Sequence, residues 1–541
     1  MKYKGVFTKM VAVAGAASML VLAGCGGSSS AKTDDATANL PDPSYEVSAD
    51  TPAWKLDKTK DTKLTWYVNA DWWNKSWGED LVTKQIKEDL NLDVEFITGD
   101  NTKLNTFFAS GDMPDLITIF DSSSQVAQTA NKWALPLQDL AKKYDPYFTK
   151  VAQKQTLDWY KLKDGKTYGY PSYSNTSRDY EDGTIPPTDA FIIRKDVLDA
   201  IGDVDFKTPE GFVSAMKTIK EKFPDLVPFG FNSFDASNSS LDATLQNMLG
   251  VPIIKDGKFY ERNLDEDYVT WLKALRQVHQ DRNISDDSFA DDEETLKEKV
   301  SSGKYATMLL QAFHQKGTEL QTWMSSNPGK EYVAVDAMES TEGDEPTLSQ
   351  AGLSGWTITY ISKKTKNPAK AMQLYTYLLD DPGQYLVNFG IEGKTYTKNS
   401  DGTVSWTDEA NEVRTNEPEK FQKEWRIGEF VLFSHDRYKA LNKDSYVQAI
   451  RQMQDWGRDY LKPQFEIENI SPDANTPQSR SLSAINTNWS TTLVSMIRAE
   501  SEKKFDELLT TYEKFEKDNG IDQINKIRDE KIAANMKRLG E

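Results

Sequence analysis

An aromatic cluster early in the chain is the strongest candidate for ligand chemistry. Trp72, Trp73 and Trp77 fall within six residues and are interleaved with Asp71 and Asn74. The apolar face of a sugar ring stacks on indole, while carboxylate and amide groups hydrogen-bond its hydroxyls. The cluster directly follows a predicted strand, where an open α/β sheet presents its ligand crevice. The pattern indicates saccharide binding, and core packing is the alternative for each ring taken singly.

Residues for catalysis are sparse. Nucleophilic hydrolysis usually needs a histidine base, and none of the three histidines belongs to the His-Glu-x-x-His pattern of zinc hydrolases. No Gly-Lys pair carries the preceding glycine of a phosphate loop. A carboxylate pair for glycoside cleavage stays open, since any two of the 84 acidic residues could converge. The sequence therefore favours binding over catalysis and predicts neither a metal nor a cofactor.

The start of the chain has the layout of an export signal, predicted over residues 1–24. Lys2, Lys4 and Lys9 precede an apolar run that is too short for a permanent membrane anchor. The run ends in Leu-Ala-Gly-Cys, and Cys25 is the only cysteine of 541 residues. This ending resembles a lipobox, where bacterial lipoproteins are cut and acylated; an ordinary signal peptide is the alternative. We expect a lipid anchor on Cys25 that tethers an extracytoplasmic protein to the cell membrane.

The charge balance narrows the possible partners. The formal net charge is −19, and removal of the leader with its three lysines makes it more negative. Nucleic acids and anionic lipid surfaces need clustered Lys and Arg, so neither is expected as a partner. The same balance favours a neutral ligand. Arg178, Arg194 and Arg262 could still clamp a carboxylate if the fold brought them together.

Alternating patterns predict an α/β protein with more than one folding unit. Residues 25–60, rich in Ser, Thr, Asp and Pro, are typical of a flexible stalk. From residue 64 onward strands and amphipathic helices alternate, which indicates a parallel sheet. A second set begins at strand 191–193, followed by a helix opened by Thr208 and Pro209. The last 45 residues read as charged helices whose apolar stripe packs on the body.

Six motifs in sequence order resemble those of the bacterial extracellular solute-binding proteins of ABC importers. Singly each motif is weak, but six of them behind a lipobox form a specific pattern. The last is typical of the large lipoprotein branch of Gram-positive bacteria, which is related to oligosaccharide-binding proteins. The motifs are residues 110–117 (SGDMPDLI), 133–140 (WALPLQDL), 164–171 (DGKTYGYP), 193–198 (IRKDVL), 303–308 (GKYATM) and 389–396 (FGIEGKTY).

The resemblance implies an α/β, two-lobed, periplasmic-binding-protein-like fold of type II, with a hinge and an interlobe cleft. It also implies a monomeric receptor that serves the transmembrane subunits of an ABC permease. Close relatives often carry a calcium loop, but residues 221–228 lack its alternating Asp and Asn, so no calcium is expected. Lobe one would take residues 61–175 and 345–400, lobe two residues 189–325, and a C-terminal helical segment shared between the lobes residues 401–541.

The predicted ligand contacts gather at strand ends and near the expected crossovers between lobes. The sequence predicts a non-enzymatic receptor that captures an oligosaccharide and releases it unaltered. A receptor for peptides or other small polar solutes, a surface glycoside-active enzyme, and an adhesin or sensory protein remain alternatives. The stacking candidates are Trp72, Trp73 and Trp77; the further candidates are Asp121, Ser122, Tyr170, Tyr173 and Trp356, with Gln311 and Phe313 from lobe two.

Overall fold

A computed structural model describes residues 36–122, 124–232, 240–348, 352–417, 419–442 and 447–540. The predicted leader and Cys25 lie outside these residues. The described chain forms two α/β lobes, each built on one main sheet. Its thirteen strands are β1 (Thr62–Val68), β2 (Leu92–Thr98), β3 (Leu116–Ile119), β4 (Gly169–Pro171), β5 (Ala190–Arg194), β6 (Val227–Phe231), β7 (Ile254–Lys255), β8 (Lys258–Phe259), β9 (Tyr305–Leu310), β10 (Tyr332–Ala334), β11 (Ile358–Ile361), β12 (Tyr396–Lys398) and β13 (Val404–Trp406).

Lobe one contains a five-stranded sheet in the order β2-β1-β3-β11-β4. β1 runs parallel to β2 and β3, whereas β11 is antiparallel to both β3 and β4. β3, β4 and β11 are buried along their whole length, whereas β1 and β2, at one side of the sheet, also carry the exposed residues Lys63, Asp93 and Glu95. The predicted strand–helix alternation from residue 64 is confirmed. The helices of this lobe with eight or more residues are Leu81–Leu90, Asn101–Ser110, Leu137–Tyr144, Pro368–Leu379, Asp381–Phe389 and Asp408–Asn416.

Lobe two contains a four-stranded sheet in the order β10-β5-β9-β6. β6 is parallel to β9, and β5 is antiparallel to β9 and β10. The predicted helix start at Thr208 is confirmed, because its side chain accepts a hydrogen bond from the Gly211 amide and Pro209 occupies the first turn. The helices of this lobe with at least seven residues are Lys195–Ile201, Pro209–Lys222, Glu266–Gln280, Glu293–Ser301, Gly317–Ser326 and Arg451–Gly457.

Shorter helices complete both lobes and the crossover between them. They are mostly single turns at strand ends and in connections. They are Ala53–Leu56, Gln125–Gln128, Ala130–Trp133, Phe148–Val151, Lys154–Trp159, Ser177–Glu181, Leu245–Met248 and Asp436–Lys439.

The C-terminal helices return to lobe two and to the crossover region. Helices Pro477–Ile497 and Glu502–Asp518 bury Trp489, Phe505 and Tyr512 in the core of lobe two, so the predicted packing of the terminal helices is confirmed. The last helix, Ile521–Leu539, then reaches the crossover region, where Leu539 packs beside Trp159.

Each of the two lobes has its own hydrophobic core. Separate clusters of buried side chains fill lobe one and lobe two. One small cluster at the crossovers, containing Trp159, Leu353 and Phe465, joins segments that pass between the lobes. Large apolar burial stabilises each lobe separately, which leaves the contact between the lobes free to change.

The segment before β1 corrects one prediction. Residues 36–60 do not form a free stalk, because they pack on lobe one. The Asp57 carboxylate lies 2.9 Å from the Lys370 ammonium, with both groups almost fully buried, and Trp54 packs edge-on against Tyr377. Composition suggested a stalk because the segment is polar, but its polar groups are paired: the Tyr45 hydroxyl donates to the Tyr144 carbonyl.

Candidate functional site

Four loops meet at one edge of the lobe-one sheet. β1 and β3 are parallel and end at this edge, and so does β4, while the antiparallel β11 begins there. The register places Ile358 opposite both Ile119 and Pro171. The residues that follow β1, β3 and β4 and those that precede β11 are therefore neighbours, although they are far apart in the sequence.

These loops assemble a set of rings that we call the aromatic platform: Trp72, Phe120, Tyr173 and Trp356. The indoles of Trp72 and Trp356 are stacked, with centroids 6.1 Å apart and planes 18° from parallel. Phe120 meets both edge-on at 6.1 and 5.1 Å, and Tyr173 lies 6.4 Å from Trp356. Three of the four rings were predicted from the sequence; Phe120 was missed, because the end of a buried strand also explains an apolar ring there.

The two tryptophans of the platform are exposed to an unusual degree. The side chain of Trp72 is 64% exposed and that of Trp356 is 43% exposed. Val47 is the only other exposed large apolar residue of the described chain. Large exposed apolar groups in contact with each other generally mark a binding surface rather than chance. The platform therefore offers a flat apolar face for a stacking ligand.

Trp73 corrects the sequence interpretation. It is 4% exposed and belongs to the core of lobe one. Its ring meets Phe96 and Phe430 edge-on and lies 5.1 Å from the Arg426 guanidinium. Adjacent residues of the loop point in opposite directions, so Trp72 reaches solvent while Trp73 anchors the loop from below.

Trp77 is a second anchor instead of a stacking surface. Its indole N–H donates to the Leu92 carbonyl at 3.0 Å, and its ring packs on Phe96. The buried Arg426 completes the support, because its guanidinium donates to the carbonyls of Asn74 and Ser76, both at 2.8 Å. Arg426 lies far along the chain and was not predicted; no local pattern distinguishes it from a surface arginine.

Tyr170 is also a core residue, contrary to the prediction. Its side chain is 1% exposed, stacks on Phe433 at 6.4 Å, and accepts a hydrogen bond from the Gln153 amide through its hydroxyl. It lies inside β4, whereas Tyr173 lies just beyond the strand end. Tyr173 has φ +53° and is covered by the Lys439 ammonium, 4.4 Å from its ring centroid.

Asp121 and Ser122 follow β3, as predicted, and face different surroundings. Asp121 is exposed next to the platform ring Phe120, and its carbonyl accepts the Ser124 hydroxyl at 2.7 Å. Ser122 instead lines a separate cavity beside Tyr160. The contact of Asp121 with a ligand stays a prediction.

In lobe two, the corresponding sheet edge brings together Asp189, Asn232 and Gln311. The backbone N–H of Gln311 donates to the Asn232 side-chain oxygen at 2.9 Å, and the residue is partly exposed. The buried Asp189 accepts the Ala312 amide and the Thr244 hydroxyl, and burial raises its pKa. Phe313 is fully buried in the core, which contradicts its predicted ligand contact.

His314 is a cleft residue that sequence reasoning missed. Its side chain is exposed in the turn Phe313–Lys316, which follows β9. Partial desolvation, reinforced by the Lys439 ammonium, lowers the pKa of His314 to about 4, while Asp436 opposes the shift. Lys439 also covers Tyr173 of the platform, so the His314 turn of lobe two faces the lobe-one side of the cleft.

The three arginines considered as a clamp do not converge. Arg194 pairs with Asp196 at 2.7 Å, Arg262 is buried beside Asn247, and the exposed Arg178 pairs with Asp182.

No cluster of three or more potential metal ligands occurs in the described ranges. Within those ranges, no helix combines the length and apolar character needed to span a bilayer.

Two α/β lobes on separate sheets, with exposed aromatic rings at one sheet edge, form the architecture of a two-lobed binding protein. The sequence profile of the bacterial extracellular solute-binding proteins matches residues 70–385, more than half of the chain, and the chain belongs to this family.

Two proteins of Bacillus subtilis strain 168 are similar in sequence. The lipoprotein LipO is 24% identical over 55% of this chain, and the melibiose/raffinose/stachyose-binding protein MelE is 24% identical over 53%. The matched regions span 59% of LipO and 65% of MelE.

Solved structures confirm the two-lobed fold. An extracellular solute-binding protein of Bifidobacterium longum subsp. infantis superposes with a TM-score of 0.66 at 15% identity, covering 87% of this chain and 98% of the other. The alginate-binding protein AlgQ2 without calcium gives 0.61 at 16% identity, covering 88% and 98%. The Streptococcus pneumoniae protein FusA in complex with kestose gives 0.62 at 16% identity, covering 87% and 99%.

Proposed function

We propose that this chain is the substrate-binding lipoprotein of an ABC importer and that it captures an oligosaccharide between its lobes. The observation that carries the proposal is the exposed, stacked pair of Trp72 and Trp356. Sugar rings present apolar C–H faces of matching shape, and closing the lobes buries this contact in one event.

The polar groups around the platform suit saccharide hydroxyls. Asp121 lies beside the platform, and Gln311 offers an amide from lobe two. The acidic net charge of the chain favours a neutral oligosaccharide. The names of MelE and of the kestose-bound FusA support the same class of ligand.

The closed form would then deliver its ligand to the transmembrane permease subunits, which can distinguish it from the open form. Acylation of Cys25 would keep the monomeric receptor at the outer face of the cell membrane. Radiolabelled palmitate should label the wild-type chain in cells and should not label Cys25→Ser; labelling of both would reject the anchor at this position.

Calorimetric titration of the chain from residue 26 onward tests the ligand class. The panel contains raffinose, stachyose, uronate oligomers and short peptides. We expect a neutral oligosaccharide to bind and Trp72→Ala to weaken it about tenfold or more. Lys75→Ala is the matched control, because Lys75 is exposed in the same loop. Binding of peptides alone would reject the saccharide proposal, and shortening of a bound oligosaccharide on long incubation would indicate an enzyme.

A further inference from the structure

A small cavity lies behind the aromatic platform, on the side of the crossovers. Its volume is about 70 Å³, well above the roughly 10–15 Å³ needed by one water on the same measure. Ser122 and Ile358 belong to its wall, so it begins where β3 ends and β11 starts. The proposed saccharide site makes no use of it. The polar groups of its wall include Ser122, Tyr160, Tyr168, Tyr360, Asn469 and Arg538.

The charge of this wall is opposite to that of the protein. No Asp or Glu lines the cavity among the described residues, whereas Lys161 and Arg538 do. Lys161 is neutralised by Asp158 at 2.5 Å. Arg538 has no carboxylate partner within the described chain; it donates to the Trp159 carbonyl at 3.1 Å and lies over the Trp159 ring. Among the residues that the structure describes, this solvent-accessible guanidinium therefore keeps donors that no carboxylate uses.

Tyr360 supplies a second, independent observation. Its side chain is 3% exposed and lines the cavity, yet its hydroxyl has no hydrogen-bond partner in the described ranges. The hydroxyl oxygen is not one of the sealed, unpartnered polar atoms of the described chain, so it faces the cavity, where a bound group or water can accept its hydrogen bond. Burial raises the pKa of Tyr360 well above 10, so the hydroxyl keeps its proton and can donate.

The neighbouring acidic groups do not accept a hydrogen bond from the Tyr360 hydroxyl. Glu468 uses both carboxylate oxygens to accept the amides of Leu353 and Ser354. The hydroxyl of Tyr160 donates to the Ser354 carbonyl, which closes that side of the cavity with a satisfied group. The Asp121 carboxylate is close enough to Tyr360 to repel a bound anion, but it is exposed and does not line the cavity.

From these contacts we infer that the cavity binds a compact anion, held by the Arg538 guanidinium and the Tyr360 hydroxyl. Charge-assisted hydrogen bonds from a guanidinium to an anionic oxygen or halide are the strong interactions available here. The anion is either free in solution and bound beside a neutral saccharide, or a carboxylate carried by the solute itself.

Crystals of the chain soaked in bromide test the site without any saccharide. We expect an anomalous peak within hydrogen-bonding distance of Tyr360 and Arg538, absent in Tyr360→Phe and Arg538→Gln. Tyr360→Phe removes only a hydroxyl that has no described partner, so this variant should fold normally. Lys537→Gln, an exposed neighbour on the same helix, is the control and should keep the peak. No peak in the wild type, or an adventitious ion only, whose peak survives both replacements, overturns the inference.

Calorimetry with trigalacturonate and its fully methyl-esterified form distinguishes the two sources. A preference for the acid of about tenfold or more, lost in Arg538→Gln, identifies a carboxylate of the solute. Equal affinities together with the bromide peak identify a free anion. If no saccharide binds at all, the proposed function fails, and the bromide experiment still decides the cavity.

Discussion

The indole rings of Trp72 and Trp356 lie 18° from parallel with centroids 6.1 Å apart. One follows β1 and the other precedes β11, so the chain passes through lobe two and back before the pair exists. Phe120 braces both rings edge-on. The pair is therefore one stacking surface contributed by two distant segments.

Because the rings support each other, their contributions to binding should be coupled. Trp72→Ala and Trp356→Ala should each weaken the preferred saccharide of the panel about tenfold. In the double variant, the loss of binding free energy should differ by about 0.5–1.5 kcal/mol from the sum of the losses in the two single variants. Calorimetry measures this difference as a double-mutant cycle. Strict additivity would mean that the rings contact the ligand independently.

Replacing each of the two adjacent tryptophans should affect the stability of the protein very differently. Trp73→Ala opens a cavity between Phe96, Phe430 and Arg426 and should lower the free energy of unfolding by about 3–5 kcal/mol. Trp72→Ala removes an exposed ring and should change it by about 0.5 kcal/mol or less. Urea unfolding compares the two variants, and equal losses would contradict the assignment of Trp73 as the anchor.

The segment before β1 should be part of the folded body. A chain that starts at residue 61 leaves the Lys370 ammonium buried without Asp57, at a cost of about 3–5 kcal/mol relative to a chain that starts at residue 36. Adding Lys370→Met to the shorter chain should recover part of the loss. Equal urea midpoints for the two starting points would restore the interpretation of a stalk.

His435 should make stability depend on pH. It is 2% exposed, and burial together with Arg437 lowers its pKa from 6.5 to about 4. The unfolded chain then binds the proton more tightly, so the stabilisation is complete above pH 6.5 and is lost as the pH falls towards 4. The loss amounts to about 3 kcal/mol at most.

The comparison with His435→Gln isolates this effect. Between pH 7 and pH 4.5 the wild type should lose more unfolding free energy than the variant, as measured by urea unfolding. Parallel losses would contradict the prediction, and NMR titration of the His435 ring gives the folded-state pKa directly.

Local patterns predicted the elements well because strand and helix periods are short-range properties. Strands β1 to β3 and the helix after Thr208 lie where their alternation placed them. The site was harder to predict. Trp72 and Trp73 are identical in type and adjacent, and the contacts that bury Trp73 come from Phe430 and Arg426 of a remote segment and from Phe96 of β2. Tyr170 and Phe313 were misassigned for the same reason, because strand ends do not reveal which ring continues into the core.

Lobe one completes its interior with residues that are translated late. Trp66 of β1 contacts Phe430 and Phe433, and lobe two likewise depends on Trp489 and Tyr512. A nascent chain leaving the ribosome cannot finish either half until most of it has been synthesised. The two lobes are therefore completed late and together, although each has its own core.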